Sequence, residues 1–98
     1  LCEEVYKEDN FVVLRDRKCY IVINEDKEFK EGHSHLKSLW ACKKVIHCAK
    51  LRTINGDMNN YMLTSIIRIS DDENYIRKIE ELITTKNRKG KKTRYYRR

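Results

Sequence analysis

Hydrophobic positions along the chain change pattern once, from short β-type runs to helical spacing. Phe11–Leu14 and Cys19–Ile23 are β-branched and aromatic runs separated by Arg15-Asp16-Arg17-Lys18, which reads as an antiparallel hairpin. Glu3–Lys7 alternates more weakly and is set off by the turn-prone Glu8-Asp9-Asn10. The pattern therefore predicts a two- or three-stranded meander within about residues 3–24. Asn24–Gly32 is charged, ends in glycine and reads as a loop.

From Ser34 the period becomes helical. His35, Ser38, Leu39, Cys42, Val45, Ile46 and Ala49 fall on one small, apolar arc. A helix over about 34–51 follows, with Ser34 as its N-cap and Asn55-Gly56 as the turn beyond it. A second helix is predicted over about 58–69, capped by Asp57, with Met58, Met62, Ile66 and Ile69 on a stripe that Leu63 and Ile67 widen. Ser70-Asp71-Asp72-Glu73 has the form of a capping box and opens a third helix over about 71–87, with Tyr75, Ile76, Ile79, Leu82 and Ile83 at helical spacing. This helix is expected to fray near Asn87–Gly90. The expected architecture is an α+β domain over residues 1–85, followed by a basic tail over 86–98.

Ninety-eight residues limit the chain to one small core and exclude a multidomain enzyme or a barrel of βα units. No run approaches the roughly 18 apolar residues of a membrane span. The formal net charge of +7 is unevenly placed. The last 13 residues hold Lys86, Arg88, Lys89, Lys91, Lys92, Arg94, Arg97 and Arg98 and no acid, so removing these eight from the 22 basic groups leaves 14 against 15 acidic ones. Within that nearly neutral body, residues 33–56 carry Lys37, Lys43, Lys44, Lys50 and Arg52 without an acid.

Basic groups at this density neutralise phosphates and release counterions, a sequence-independent and salt-sensitive mode of nucleic-acid binding. Tyr95 and Tyr96 lie among the tail charges, where rings can stack on unpaired bases. Lys37, Lys43, Lys44 and Arg52 would extend the surface. Trp40, the only tryptophan, is ringed by lysines on the outer arc of the first helix. Large aromatics in small domains usually belong to the core. The expectation is thus that Leu36 and Trp40 form a second buried ridge under another helix, with an exposed stacking platform as the alternative. No helix carries the Arg, Asn and Gln set that reads base edges in a duplex, so RNA or single strands are favoured.

Other chemistries are weaker. His33 and His35 suit an acid–base pair for a small metal-independent ribonuclease, but at a helix start their rings point about 200° apart, and His35 reads better as a core or cap residue. Cys42, His47 and Cys48 cannot face one ion from a single helix, so neither a metal nor a cofactor is expected. Four cysteines, at 2, 19, 42 and 48, read as reduced and mostly buried thiols of a cytoplasmic protein. The function these features point to is non-enzymatic binding of nucleic acid, RNA or single strands above all. An interaction module or small inhibitor docking on an acidic protein partner or a nucleoprotein is the alternative.

Overall fold

The computed structural model describes the backbone of residues 2–96 and the side chains of residues 2–88. Four strands precede three helices: β1 (Glu3–Glu8), β2 (Phe11–Arg15), β3 (Tyr20–Asn24), β4 (His33–Leu36), α1 (Leu39–Leu51), α2 (Asn60–Ile69) and α3 (Glu73–Tyr96). The sheet is an antiparallel meander in the order β1-β2-β3-β4.

The helices cover one face of the sheet. Phe11 and Val13 of β2, Val22 of β3 and Leu36 of β4 meet Cys42, Val45 and Ile46 of α1, Leu63, Ile66 and Ile69 of α2, and Tyr75 and Ile79 of α3 in one cluster. Alternation puts Val12 and Ile21 on the opposite face, outside this cluster though still buried.

The fourth strand corrects both the strand count and the start of the first helix. Val22 pairs with Ser34 and Ile21 with His35, so the residues expected to open α1 complete the sheet instead. Helix α1 starts at Leu39, with Ser38 as N-cap accepting from the Ala41 amide at 3.0 Å. The segment pairs with β3 and its inward Ser34 meets Ser65 of α2, so tertiary contacts hold His33-Ser34-His35-Leu36 as a strand, and Ser38 offers an equally good cap one turn later.

Two further boundaries move. Asn59, not Asp57, caps α2 through the Met62 amide at 2.8 Å. At α3 the cap is Asp72, which accepts from the Tyr75 amide at 3.1 Å, while the Ser70 hydroxyl turns back to the Ile66 carbonyl at 2.6 Å. The Ser70–Glu73 capping box therefore does not form. Helix α3 also continues to Tyr96, past the fraying point expected at 87–90.

Polar ties lock the sheet to α2. Lys27 donates to the carbonyls of Arg68 and Ser70 at 3.0 and 2.9 Å, satisfying the C-terminal end of α2. Gly32 is required beside it, since a Cβ there would lie 2.6 Å from Lys27 Cβ. The outward carbonyls of edge strand β4 are also occupied: His33 O accepts from Arg68 Nε at 2.6 Å and His35 O from the Tyr61 hydroxyl. These contacts blunt an edge that would otherwise pair with another chain.

Candidate nucleic-acid interface

Helix α1 buries Cys42, Val45, Ile46 and Cys48 and turns Trp40, Lys43 and His47 to solvent. Trp40 is 67% exposed, which overturns the expectation of a second buried ridge. Leu36 is buried as expected, but from β4 rather than from the helix. The difference follows from the late helix start: with Leu36 on a strand, it and Trp40 no longer share a helical face.

The indole sits among cations. The Lys44 ammonium lies 5.2 Å from the Trp40 ring centroid, and the Lys43 ammonium lies 4.6 Å from that of Tyr6 on β1. Opposite Trp40, the α1–α2 loop contributes Thr53, Ile54, Asn55 and Gly56, and between helix and loop runs an open cleft of about 660 Å³. Ile54 is 49% exposed there. Asn55 is shaped for the cleft rim: its Oδ1 accepts from the Asp57 amide at 2.9 Å, which leaves its Nδ2 hydrogens as donors.

Lys37 stands at the β4–α1 corner, beside Leu36, Ala41, Asn59, Tyr61 and Met62 in a second, smaller depression. Other basic residues are committed elsewhere. Arg52 ends α1 in the left-handed region at φ 54° and pairs through Nε with Asp72 at 2.7 Å. The Tyr75 amide, with the Arg52 guanidinium behind it, holds the Asp72 carboxyl below its usual range. Lys50 bridges Glu8 at 2.6 Å and Asp9 at 2.7 Å, and both carboxylates raise its pKa.

Lys86 is a structural residue. Its ammonium donates to the carbonyls of Gly56, at 3.1 Å, and of Met58, tying α3 to the α1–α2 loop. Arg88 is exposed beside Arg77, Glu80, Glu81, Thr84 and Thr85, a surface of mixed sign. The side chains of Lys89, Lys91, Lys92, Arg94, Tyr95 and Tyr96, and all of Arg97 and Arg98, lie outside the described residues.

The histidines come together in an unexpected way. On β4 they occupy alternate positions, so His33 and His35 share one face, with ring centroids 5.2 Å apart at 75°. Together with Asn60, Tyr61, Thr64, Ser65 and Arg68 they line a groove of about 410 Å³ along the strand edge. Cys42 and His47 do not converge: the Cys42 thiol is buried, which pushes its pKa up to about 12, while His47 is exposed. Among the described residues no three His, Cys, Asp or Glu side chains form a metal-holding group. All four cysteines are free thiols, two of them buried, and no helix among the described residues is long and apolar enough to cross a membrane.

Sequence reasoning missed the loop wall 53–56, Tyr61, Arg68 and Cys19. Only Tyr61, an aromatic off the apolar stripe of its helix, left a trace in the pattern; it is 59% exposed. Compared with protein-family models, curated proteins and solved structures, the chain matches none.

Proposed function

We propose that the protein binds single-stranded nucleic acid, RNA in particular, on the outer face of α1. The observation that carries this reading is the exposed Trp40 ring with the Lys44 ammonium over it, facing the cleft walled by Ile54 and Asn55. An unpaired base stacks on the indole, and Lys37, Lys43 and Lys44 contact the flanking phosphates. Exposing an indole to water has no benefit for the fold, whereas base–aromatic stacking contributes about 1–3 kcal/mol per base. The basic end of the chain adds phosphate contacts that carry no sequence information. The exposed face of α1 is poor in Arg, Asn and Gln, in keeping with strand recognition rather than duplex readout.

The sole tryptophan makes the test direct. Titrating the protein with an oligouridylate should quench its fluorescence, and the same titration at two salt concentrations should give a slope of about −2 from three lysine contacts, plus whatever the basic end adds. Trp40→Ala should weaken binding about 5- to 150-fold, as expected from losing one stacked base, when binding is followed by anisotropy of labelled RNA. Truncation should start after Arg88, because deleting from Lys86 also removes a structural tie. Unchanged fluorescence at saturating RNA, or equal affinity of wild type and Trp40→Ala, would overturn the reading. Complete absence of RNA binding would leave docking on an acidic protein as the use of this face.

A further inference from the structure

Placing His33-Ser34-His35 on a strand changes what the two imidazoles can do. Ser34 points inward to the Ser65 hydroxyl at 2.7 Å, so its neighbours emerge together on the other face. Each ring is held by a separate partner. His33 stacks on Phe29 at 4.3 Å and 5°, with Nδ1 2.5 Å from the Phe29 carbonyl oxygen. A carbonyl only accepts, so Nδ1 carries the hydrogen and Nε2 the lone pair. His35 Nδ1 lies 3.4 Å from Cys19 Sγ. Among the described residues, no hydrogen bond occupies Nε2 of either ring.

Arg68 lines the same groove and supplies a fixed cation at the strand backbone. Its Nε and one Nη donate to the carbonyls of His33 and Lys30 at 2.6 and 3.2 Å, which anchors the group and leaves its other N–H donors available. Tyr61 lines both this groove and the depression holding Lys37, so the groove adjoins the basic corner of α1.

The geometry points to a second activity at this groove: cleavage of RNA by internal transesterification, with His33 as general base, His35 as general acid and Arg68 beside the reacting phosphate. The proton of a ribose 2′-hydroxyl passes to His33 Nε2 as the 2′-oxygen–phosphorus bond forms. The bond from phosphorus to the 5′-oxygen breaks, and that oxygen takes a proton from Nε2 of the His35 imidazolium. Arg68 opposes the negative charge gathering on the non-bridging oxygens. The products are a 2′,3′-cyclic phosphate and a 5′-hydroxyl, and DNA, which lacks the nucleophile, is not cut. Phe29 and Cys19 are positioning residues that set the ring planes. This activity extends the binding reading and does not need Trp40.

The test is incubation of end-labelled RNA with the full chain in EDTA, with product ends identified by mass spectrometry. Wild-type protein should produce cyclic-phosphate ends. His33→Gln and His35→Gln, purified in parallel and shown to be folded by circular dichroism, should cut at least about 100-fold more slowly, as expected for loss of acid–base catalysis. Arg68→Lys should reduce the rate while leaving the cleavage product unchanged. Intact RNA with wild type, or equal cleavage by wild type and both histidine variants, would overturn the inference. Binding to a 2′-O-methyl RNA, which cannot react, separates the two claims: binding without cleavage of ordinary RNA refutes catalysis and leaves the α1 interface standing, and no binding to either refutes both.

Discussion

Asn24 offers a sharp test of how the sheet is joined to the helices. It is 1% exposed at the end of β3, and its amide contacts three separate segments. Nδ2 donates to the Ile69 carbonyl at 2.8 Å, and Oδ1 accepts from Asn10 Nδ2 at 2.7 Å and from the Asp26 amide at 2.8 Å. The orientation is fixed, because the Ile69 carbonyl only accepts and the Asp26 amide only donates. Asn24→Asp keeps the shape and both accepting roles but sets a carboxylate oxygen against the Ile69 carbonyl. A lost net hydrogen bond of about 1 kcal/mol, plus about 1–3 kcal/mol for the stranded carbonyl, puts the cost near 3 kcal/mol at pH 7 before the buried charge is counted. Against a typical domain stability of about 5–15 kcal/mol, that is a large fraction. Burial raises the folded-state pKa of the new carboxyl, so the deficit is fully present above that value and fades as pH falls through it, where the O–H regains a donor for Ile69. Urea unfolding followed by far-UV circular dichroism at pH 7 and near pH 4 reads this directly. The gap between wild type and Asn24→Asp should narrow on acidification, whereas the gap for Asn24→Ala should not. A pH-independent Asn24→Asp deficit, or one below about 1 kcal/mol at pH 7, would refute the assigned bonding.

Three other outcomes are expected. In a double-mutant cycle on the buried Ser34–Ser65 pair, Ser65→Ala should cost about 1–3 kcal/mol by stranding the Ser34 hydroxyl, and adding Ser34→Ala should recover part of that; additive losses in urea melts would contradict the pairing. The folded pKa of Asp72 is depressed, so its contribution is present above the unfolded carboxylate range and is lost as pH falls through the folded value; the difference in urea midpoint between wild type and Asp72→Asn should therefore shrink from pH 7 to pH 3. Lys86→Met should lower the thermal midpoint, since two carbonyls of the α1–α2 loop lose their donor, while Arg88→Ala should shift stability by less than about 0.5 kcal/mol; equal effects would show that Lys86 is not a tie.

The continuous β-branched and aromatic runs of β2 and β3 and the helical stripes of α2 and α3 were legible because each carries one signal over several residues. Strand β4 was not, since His33-Ser34-His35-Leu36 is four residues long and its apolar member also completes a helical arc. What decides for the strand is tertiary: pairing with Tyr20–Ile23, the Ser34–Ser65 bond, and two α2 side chains on its outer carbonyls. The capping box failed for a related reason. Ser70 is buried against the end of α2, so its hydroxyl serves the Ile66 carbonyl and the cap passes to Asp72, two residues later. Asn24, read as the first residue of a charged loop, is instead a buried junction, and polarity alone carries no sign of which polar residues a fold will enclose.

The same shift of register governs the candidate sites. As a helix start, residues 34–38 would separate the histidines and align Leu36 with Trp40. As a strand and corner, they unite the histidines, bury Leu36 and leave the indole outside. Both proposed activities therefore depend on one local choice between periods, made by contacts up to 35 residues distant in sequence, as from His33 to Arg68. Charge arithmetic correctly isolated the basic stretch around α1 but treated its cations as equivalent. Arg52 and Lys86 are used by a carboxylate and by carbonyls of the fold, as Lys50 is by two further carboxylates, so the proposed phosphate contacts on the body reduce to Lys37, Lys43 and Lys44. Substituting these three tests an interface; substituting the others tests the fold that presents it.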